Sequence, residues 1–418
     1  MIDSDRPGRA VFMEVCGFMK GRYRYVIAGG GLAGASAIKG IREHDSEGSI
    51  VLLGAEAHRP YDRPPLSKKL WLGKKKVEDI FIGSPEFYEK NRVELMLGKK
   101  AVSLDARARE LRDEEGRVYG YEKLLIATGC QPRKLDIPGA DLRDVCYFRT
   151  LDDYFFLREK VFDGASAIII GGGFIGSELA AVLSVNKVSV TMVFPSAYLC
   201  NRVLPEALGQ SVQRGFIDRG IRVLANTTPM AFEQKEKKFS VLTKERGALE
   251  CDILIVGAGV SPSAGLAEGA LLKTGDGIEV NSRLQTSDAD VYSAGDVASF
   301  PYRELGERKR VEHWDNAMSQ GKLAGENMAG ADKEYDYMPY FFSDLFDFGY
   351  EAVGEVSSRL DVVSDWQVEN KKGVLYYLKE NRVRGVMLCN VWDRVEDARA
   401  LIRKKEIVTA DGLKGRIR

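Results

Sequence analysis

A chain of 418 residues exceeds one ordinary hydrophobic core, and typical domains of roughly 100–150 residues imply two or three. Hydrophobic residues make up 44% and charged residues 29%, which excludes a disordered or fibrous chain. The 61 basic and 61 acidic residues balance, which excludes the global field of a nucleic-acid or anionic-membrane binder.

Residues 1–22 read as an N-terminal extension. Ala10–Met19 is mildly apolar, but Glu14 interrupts it and no small-residue cleavage site follows, so no secretory signal is expected. Nor does any run approach the roughly 18 apolar residues of a membrane span. Tyr25–Ala28 then reads as a buried strand, Gly29-Gly30-Gly31-Leu32-Ala33-Gly34 as a tight turn, Ala35–Glu43 as an amphipathic helix and Ile50–Leu53 as a second strand. The stiff stretch Pro60-Tyr61-Asp62-Arg63-Pro64-Pro65-Leu66-Ser67-Lys68 follows. Its prolines restrict the backbone, so Arg63 and Lys68 can be aimed with little ordering cost. Lys74-Lys75-Lys76 is a short charge run and reads as a solvated face.

Val93–Leu111 and Val118–Ala127 read as strands around the turn Asp113-Glu114-Glu115-Gly116, ending at Ala127-Thr128-Gly129. Ala167–Ile170, Gly171-Gly172-Gly173-Phe174-Ile175-Gly176, Ser177–Leu183 and Val188–Phe194 repeat the strand, turn, helix and strand of the first unit. Asp252–Val256 is a further strand, closing at Gly257-Ala258-Gly259. Ser293-Ala294-Gly295-Asp296-Val297 reads as a strand end that presents Asp296 and the next helix N-terminus. From about Lys333 short aromatic strands such as Gly373–Leu378 and Val383–Leu388 mark a separate α+β domain.

Each G-x-G-x-x-G calls for glycine because the turn takes positive φ, the backbone approaches a pyrophosphate and the helix packs close on the strand. Two matches in one chain imply two Rossmann-like dinucleotide-binding domains, one for a flavin and one for a nicotinamide. An acidic residue about 20 positions on takes the ribose hydroxyls. Glu56 is that candidate after the first loop, whereas the second strand runs into Ser196, which leaves NADH against NADPH open. Six scattered cysteines (Cys16, Cys130, Cys146, Cys200, Cys251, Cys389) offer no C-x-x-C, which argues against a disulfide framework, a zinc site and a redox-active pair and fits a reducing, cytoplasmic setting. Three scattered histidines (His44, His58, His313) and no clustered carboxylates leave no metal site to expect.

With these motifs in place, the chain resembles the two-dinucleotide flavoprotein reductases, and within them the apoptosis-inducing factor branch, close to the ferredoxin and rubredoxin reductases. Further matching runs are Glu178-Leu179-Ala180, Val311-Glu312-His313-Trp314, Leu323-Ala324-Gly325-Glu326-Asn327-Met328, Phe342-Ser343-Asp344-Leu345 and Gly349-Tyr350-Glu351-Ala352. The resemblance implies FAD held by residues 23–144 and 276–332, an inserted NAD(P)H domain at 145–275 and a C-terminal α+β domain at 333–418. It implies flavin contacts from Gly29, Gly31, Leu32, Ala33, Gly34, Glu56, Arg63, Lys68, Thr128, Gly129, Arg133 and Asp296. Along the nicotinamide dinucleotide it implies Gly171, Gly173, Phe174, Ile175, Gly176, Glu178, Gly259, Glu312 and His313. Lys68, Glu178 and His313 are the candidate catalytic residues, with Lys68 beside the flavin ring and Glu178 as its buried partner.

The resemblance also has gaps. The cysteine pair of the disulfide-reductase cousins is replaced by Arg63–Lys68, the ribose acid of the second loop by Ser196, and a tryptophan by Phe342. The flexible insertion, transit and membrane segments of the animal apoptosis-inducing factors are missing, so their death-signalling and DNA-binding roles do not carry over. Three functions stay open. One is an NAD(P)H-dependent FAD oxidoreductase that takes hydride at flavin N5 and reduces a quinone, dye, oxygen or small carrier. The second is a ferredoxin or rubredoxin reductase serving an iron-sulfur carrier protein. The third is an NADH-sensing scaffold whose dimerisation reports the coenzyme. The homodimer stays open with it.

Overall fold

The computed structural model describes residues 20–417, so Cys16 and most of the expected extension lie outside the described residues. The first strand, Lys20–Ala28, starts before its expected position because Val118–Ile126 is equally long and pairs with Lys20–Tyr23 as well. It lies inside a seven-stranded sheet in the order Val93–Leu97, Ile50–Gly54, Lys20–Ala28, Val118–Ile126, Glu110–Asp113, Ala101–Asp105, with Val291–Ser293 added along the last part of Val118–Ile126. Ile50–Gly54 is buried throughout, as a parallel strand covered on both faces must be.

The run expected as one strand over 93–111 is three. Gly98, at φ 64°, turns the chain after the parallel edge strand Val93–Leu97, and Arg109, at φ 56°, closes the hairpin between Ala101–Asp105 and Glu110–Asp113. The chain also does not enter a helix after Asp296. It forms the hairpin Ala298–Tyr302 and Glu307–Arg310, and the next helix is Trp314–Met328.

The second glycine unit centres on a five-stranded parallel sheet ordered Arg222–Leu224, Ser189–Val193, Ser166–Ile170, Ile253–Val256, Cys146–Tyr147, with an antiparallel meander over 229–251 beside it. Beyond Tyr340 the chain makes a five-stranded antiparallel sheet, and helix Val395–Lys404 packs on it. The three central strands of that sheet are buried on both faces. Tyr350, Leu375 and Met387 join the core of the second unit, and Val353, Tyr376 and Leu388 join that of the first. No helix among the described residues is long and apolar enough to cross a membrane.

Helix Leu32–His44 and helix Trp314–Met328 meet through glycines. An added Cβ at Gly40 would stand 2.0 Å from Lys322 O, at Gly321 2.2 Å from Ala33 O, and at Gly325 2.1 Å from Ala37 O. The opposing atoms are backbone and cannot swing away. Gly325→Ala is therefore expected to cost about 1–3 kcal/mol by overpacking, more than the roughly 1 kcal/mol that alanine normally gains over glycine in a helix. Gly215→Ala, where the nearest atom is the end of the Arg219 side chain at 3.5 Å, should be neutral or stabilising. Thermal melting of both variants checks the contrast.

Candidate active site

Both glycine turns are built alike. Gly29 donates its N–H to Leu53 O at 2.8 Å, and Gly171 donates to Val193 O at 2.9 Å, tying each turn to the neighbouring strand. Their φ values are 135° and 121°, and an added Cβ would lie 2.1 Å from Ala127 O and 2.3 Å from Gly257 O. Gly34 and Gly176 are fixed by packing: a Cβ there would stand 2.2 and 2.3 Å from the carbonyl oxygens of Gly29 and Gly171. The middle glycines differ. Gly31 and Gly173 are N-caps with φ −94° and −86°, open to any residue, and a Cβ on either meets nothing within 4 Å. Neither conformation nor protein packing requires glycine at these two positions, so the space beside them suits the close approach of a pyrophosphate. Leu32 and Ala33, and Phe174 and Ile175, open the two helices, whose first turns have unpaired N–H groups to offer an anion.

The Pro60–Lys68 stretch ends in a short 3-10 turn, Pro64–Ser67, which carries Lys68 inward. Lys68 Nζ stands 3.0 Å from Glu178 Oε1, with the two side chains 11% and 6% exposed. Glu178 also accepts from Ser67 Oγ and Ser343 Oγ, both at 2.6 Å, so its carboxylate is held by three donors from two separate stretches of chain. Lys68 Nζ lies 4.8 Å from the centre of the Phe342 ring.

One edge strand, Tyr340–Leu345, touches all three candidate catalytic residues and Phe174. Phe342 contacts Lys68, Ser343 contacts Glu178, and Phe341 packs on both His313 and Phe174, with ring centres 4.3 and 5.7 Å away. His313 caps helix Trp314–Met328, and its Nδ1 is buried with no hydrogen-bond partner among the described residues. Burial pushes its pKa down to about 4, so the imidazole is neutral at physiological pH.

Glu56 and Arg63, expected at separate points of the cofactor, are joined to each other. Arg63 Nη2 donates to Glu56 Oε1 at 2.6 Å and Nη1 donates to Tyr61 OH and Arg149 O, while Tyr61 OH donates to the other Glu56 oxygen. Asp296 accepts from Arg149 Nη2 at 2.8 Å. Sequence reasoning did not single out Arg149. Its one local signal is the capping box of Thr150 and Asp153, which marks the start of helix Leu151–Lys160 but says nothing of an arginine one residue earlier. Thr128 Oγ1 donates to Ser263 O at 2.8 Å, and Gly129 and Gly259 take φ 66° and 94°. Arg133 is exposed, with its backbone N–H on Gly259 O. Glu312 is exposed and accepts from Arg310 Nη1 at 2.6 Å. Ser196 Oγ donates to Tyr198 O at 3.2 Å.

This geometry has close counterparts. Residues 23–321 match the family described as pyridine nucleotide-disulphide oxidoreductase, and residues 324–372 match apoptosis-inducing factor, mitochondrion-associated, C-term. The chain is 34% identical over 385 residues to monodehydroascorbate reductase 4, peroxisomal, from Arabidopsis thaliana, covering 87% of this chain and 78% of that protein. It is 32% identical over 423 residues to apoptosis-inducing factor 1, mitochondrial, from Dictyostelium discoideum, covering 93% and 79%. Among solved structures, the ferredoxin reductase for the CYP199A2 system from Rhodopseudomonas palustris superposes with a TM-score of 0.86 at 30% identity, covering 93% of this chain and 96% of that one. The chain belongs to the pyridine nucleotide-disulphide oxidoreductase family and is an NAD(P)H-dependent flavoprotein oxidoreductase that binds FAD.

Proposed function

We propose that the enzyme carries electrons from NADH or NADPH to an external acceptor at a site built on the buried Lys68–Glu178 pair, the observation that bears most of the reading. FAD, when bound, supplies an acceptor for the nicotinamide hydride and returns the electrons onward. Residues 23–144 and 276–332, with the strand residues just before them, would hold it. Gly29, Gly31 and Gly34 line its pyrophosphate, Glu56 its ribose, and Arg63, Arg149 and Asp296 its polar length. Thr128, Gly129 and Arg133 border it. The 145–275 segment would hold the coenzyme on Gly171, Gly173 and Gly176, with Gly259 and Glu312 alongside.

Lys68 keeps a positive charge where negative charge builds on reduction, and Glu178 keeps Lys68 in place and desolvated. Neutral His313 and the rings of Phe174 and Phe341 exclude water and orient the nicotinamide by contact. Among acceptors, a small iron-sulfur carrier protein is the reading favoured by the ferredoxin reductase relative, which matches along nearly the whole chain. A cytoplasmic setting is favoured by the five described cysteines, all free and buried.

Anaerobic reduction with NADH and with NADPH, followed by reoxidation with quinones, dyes, oxygen and a purified ferredoxin, tests the whole scheme. Fast turnover with the ferredoxin selects the carrier, and fast turnover with quinone alone selects a small-molecule acceptor. A persistent reduced state with NADH-linked dimerisation would overturn both. Ser196→Glu is expected to raise KM for NADPH relative to NADH about tenfold or more, because like charges in one site cost about 1.4 kcal/mol or more. Steady-state KM values for the two coenzymes check it.

A further inference from the structure

Arg310 ends the strand Glu307–Arg310, and its side chain is only 10% exposed. Its Nε donates to Asp276 Oδ1 at 2.8 Å. Its Nη1 faces three acceptors: Asp296 O at 3.1 Å, Cys130 Sγ at 3.3 Å and Glu312 Oε1 at 2.6 Å. Cys130 Sγ in turn donates to Asp296 O at 3.4 Å. The stem runs past Gly277, where φ is 89° and an added Cβ would stand 2.4 Å from Val297 O and 2.8 Å from Arg310 Cδ.

One planar cation therefore joins the Gly295-Asp296 turn, on the flavin side, to Glu312, the residue before His313. Glu312 is exposed, and a free glutamate there would sample several rotamers. The guanidinium fork presents its N–H groups at fixed angles, so it holds the carboxylate at one distance from the turn. A lysine could reach one of these acceptors but could not bracket them.

We infer that Arg310 is a positioning residue that sets Glu312 against the Asp296 turn, so that the nicotinamide-side carboxylate and the flavin-side turn keep one register. This inference rests on the proposed place of Glu312 beside the coenzyme. Arg310 itself touches neither reacting group.

The test compares Arg310→Met, Arg310→Lys, Glu312→Gln and the double variant Arg310→Met/Glu312→Gln as FAD-loaded proteins. The readouts are equilibrium NAD+ binding by calorimetry, KM and kcat with NADH, flavin occupancy and melting temperature. Arg310→Met is expected to weaken NAD+ binding and raise KM about tenfold, the order set by losing a hydrogen bond to a charged group, with kcat moving less than KM. Arg310→Lys should recover part of the loss. The double variant should bind no worse than Glu312→Gln, because Arg310 acts through that carboxylate. If Arg310→Met lowers melting and flavin occupancy but leaves NAD+ affinity intact while Glu312→Gln weakens it, the guanidinium is merely structural and the inference fails. If neither variant changes NAD+ affinity, the placement of Glu312 has failed and takes the inference with it. Should Arg310→Met not fold, Arg310→Gln, which keeps a polar donor for the Asp296 turn but has no charge for Glu312, is expected to give a loss of NAD+ affinity in the same direction, and unchanged affinity there overturns the inference.

Discussion

Lys68→Met is expected to slow anaerobic flavin reduction by NADH about a hundredfold, the order seen when one preorganised charge is removed from a desolvated site. The variant also strands Glu178, a carboxylate buried among Ser67, Ser343 and the Phe342 edge strand, with no cation. Breaking a buried pair in this way costs about 3–5 kcal/mol, so the melting temperature should fall along with the rate. Glu178→Gln in the same chain removes the stranded charge, its amide oxygen accepting from one serine and its NH2 donating to the hydroxyl oxygen of the other. The double variant should regain much of the stability but not the rate. Stopped-flow reduction and thermal melting separate the two effects. A wild-type rate in Lys68→Met, or recovery of rate in the double variant, would remove Lys68 from the chemistry and leave it a structural cation.

The second large effect concerns the middle glycines. Gly31→Ala and Gly173→Ala should fold normally, since their backbone angles suit alanine and the new methyl meets no protein atom. Each methyl instead enters the open space beside the loop where the proposed function puts a pyrophosphate. A methyl forced into a close contact costs about 1–3 kcal/mol, which is about ten- to hundredfold in affinity. Gly31→Ala should lose FAD, and Gly173→Ala should keep FAD but bind NADH weakly. Gly29→Ala and Gly171→Ala are different, because there φ is positive and a backbone oxygen stands at the Cβ position, so the turn itself must break. Flavin absorbance per protein, NADH titration and melting of the flavin-free chain distinguish ligand loss from misfolding. If Gly31→Ala retains full flavin, that face of the loop is not the pyrophosphate site.

The parts of the fold legible in the sequence were those with a period and a punctuation mark. Tyr25–Ala28, Ile50–Leu53 and Ala167–Ile170 are apolar runs stopped by glycine, and the strands fall there within a residue or two at most ends. Val93–Leu111 misled because the breaks at Gly98 and Arg109 sit inside a sequence of otherwise strand-like texture, and only the neighbouring strands decide where pairing changes from parallel to antiparallel. Lys68 and Glu178 could be named from motifs 110 positions apart. Ser343 on Glu178 and the Arg149–Asp296 pair could not, because partnership across such separations is a property of how sheets pack and leaves no local pattern. Arg310 was invisible for the same reason: its acceptors come from residues 130, 276, 296 and 312.

The glycine contact between helix Leu32–His44 and helix Trp314–Met328 has a consequence for synthesis. The first glycine loop is made early, yet the helix against which its own helix closes, and the strand Val291–Ser293 that completes its sheet, are among the last third of the chain to be translated. Domains generally form as units, N-terminal first, while the ribosome elongates the chain at about 5–20 residues per second. Here the earliest unit cannot finish. About 260 residues separate Lys68 from Met328, and although Ile38 and Ile41 share a core with Ile27, Ile50 and Leu52 of the early strands, the face of Leu32–His44 that carries Gly40 stays without its covering helix until Met328 has emerged. The nascent protein thus passes through a window, on the order of tens of seconds at those rates, in which its parallel second sheet can already fold while its first glycine unit waits for the returning chain.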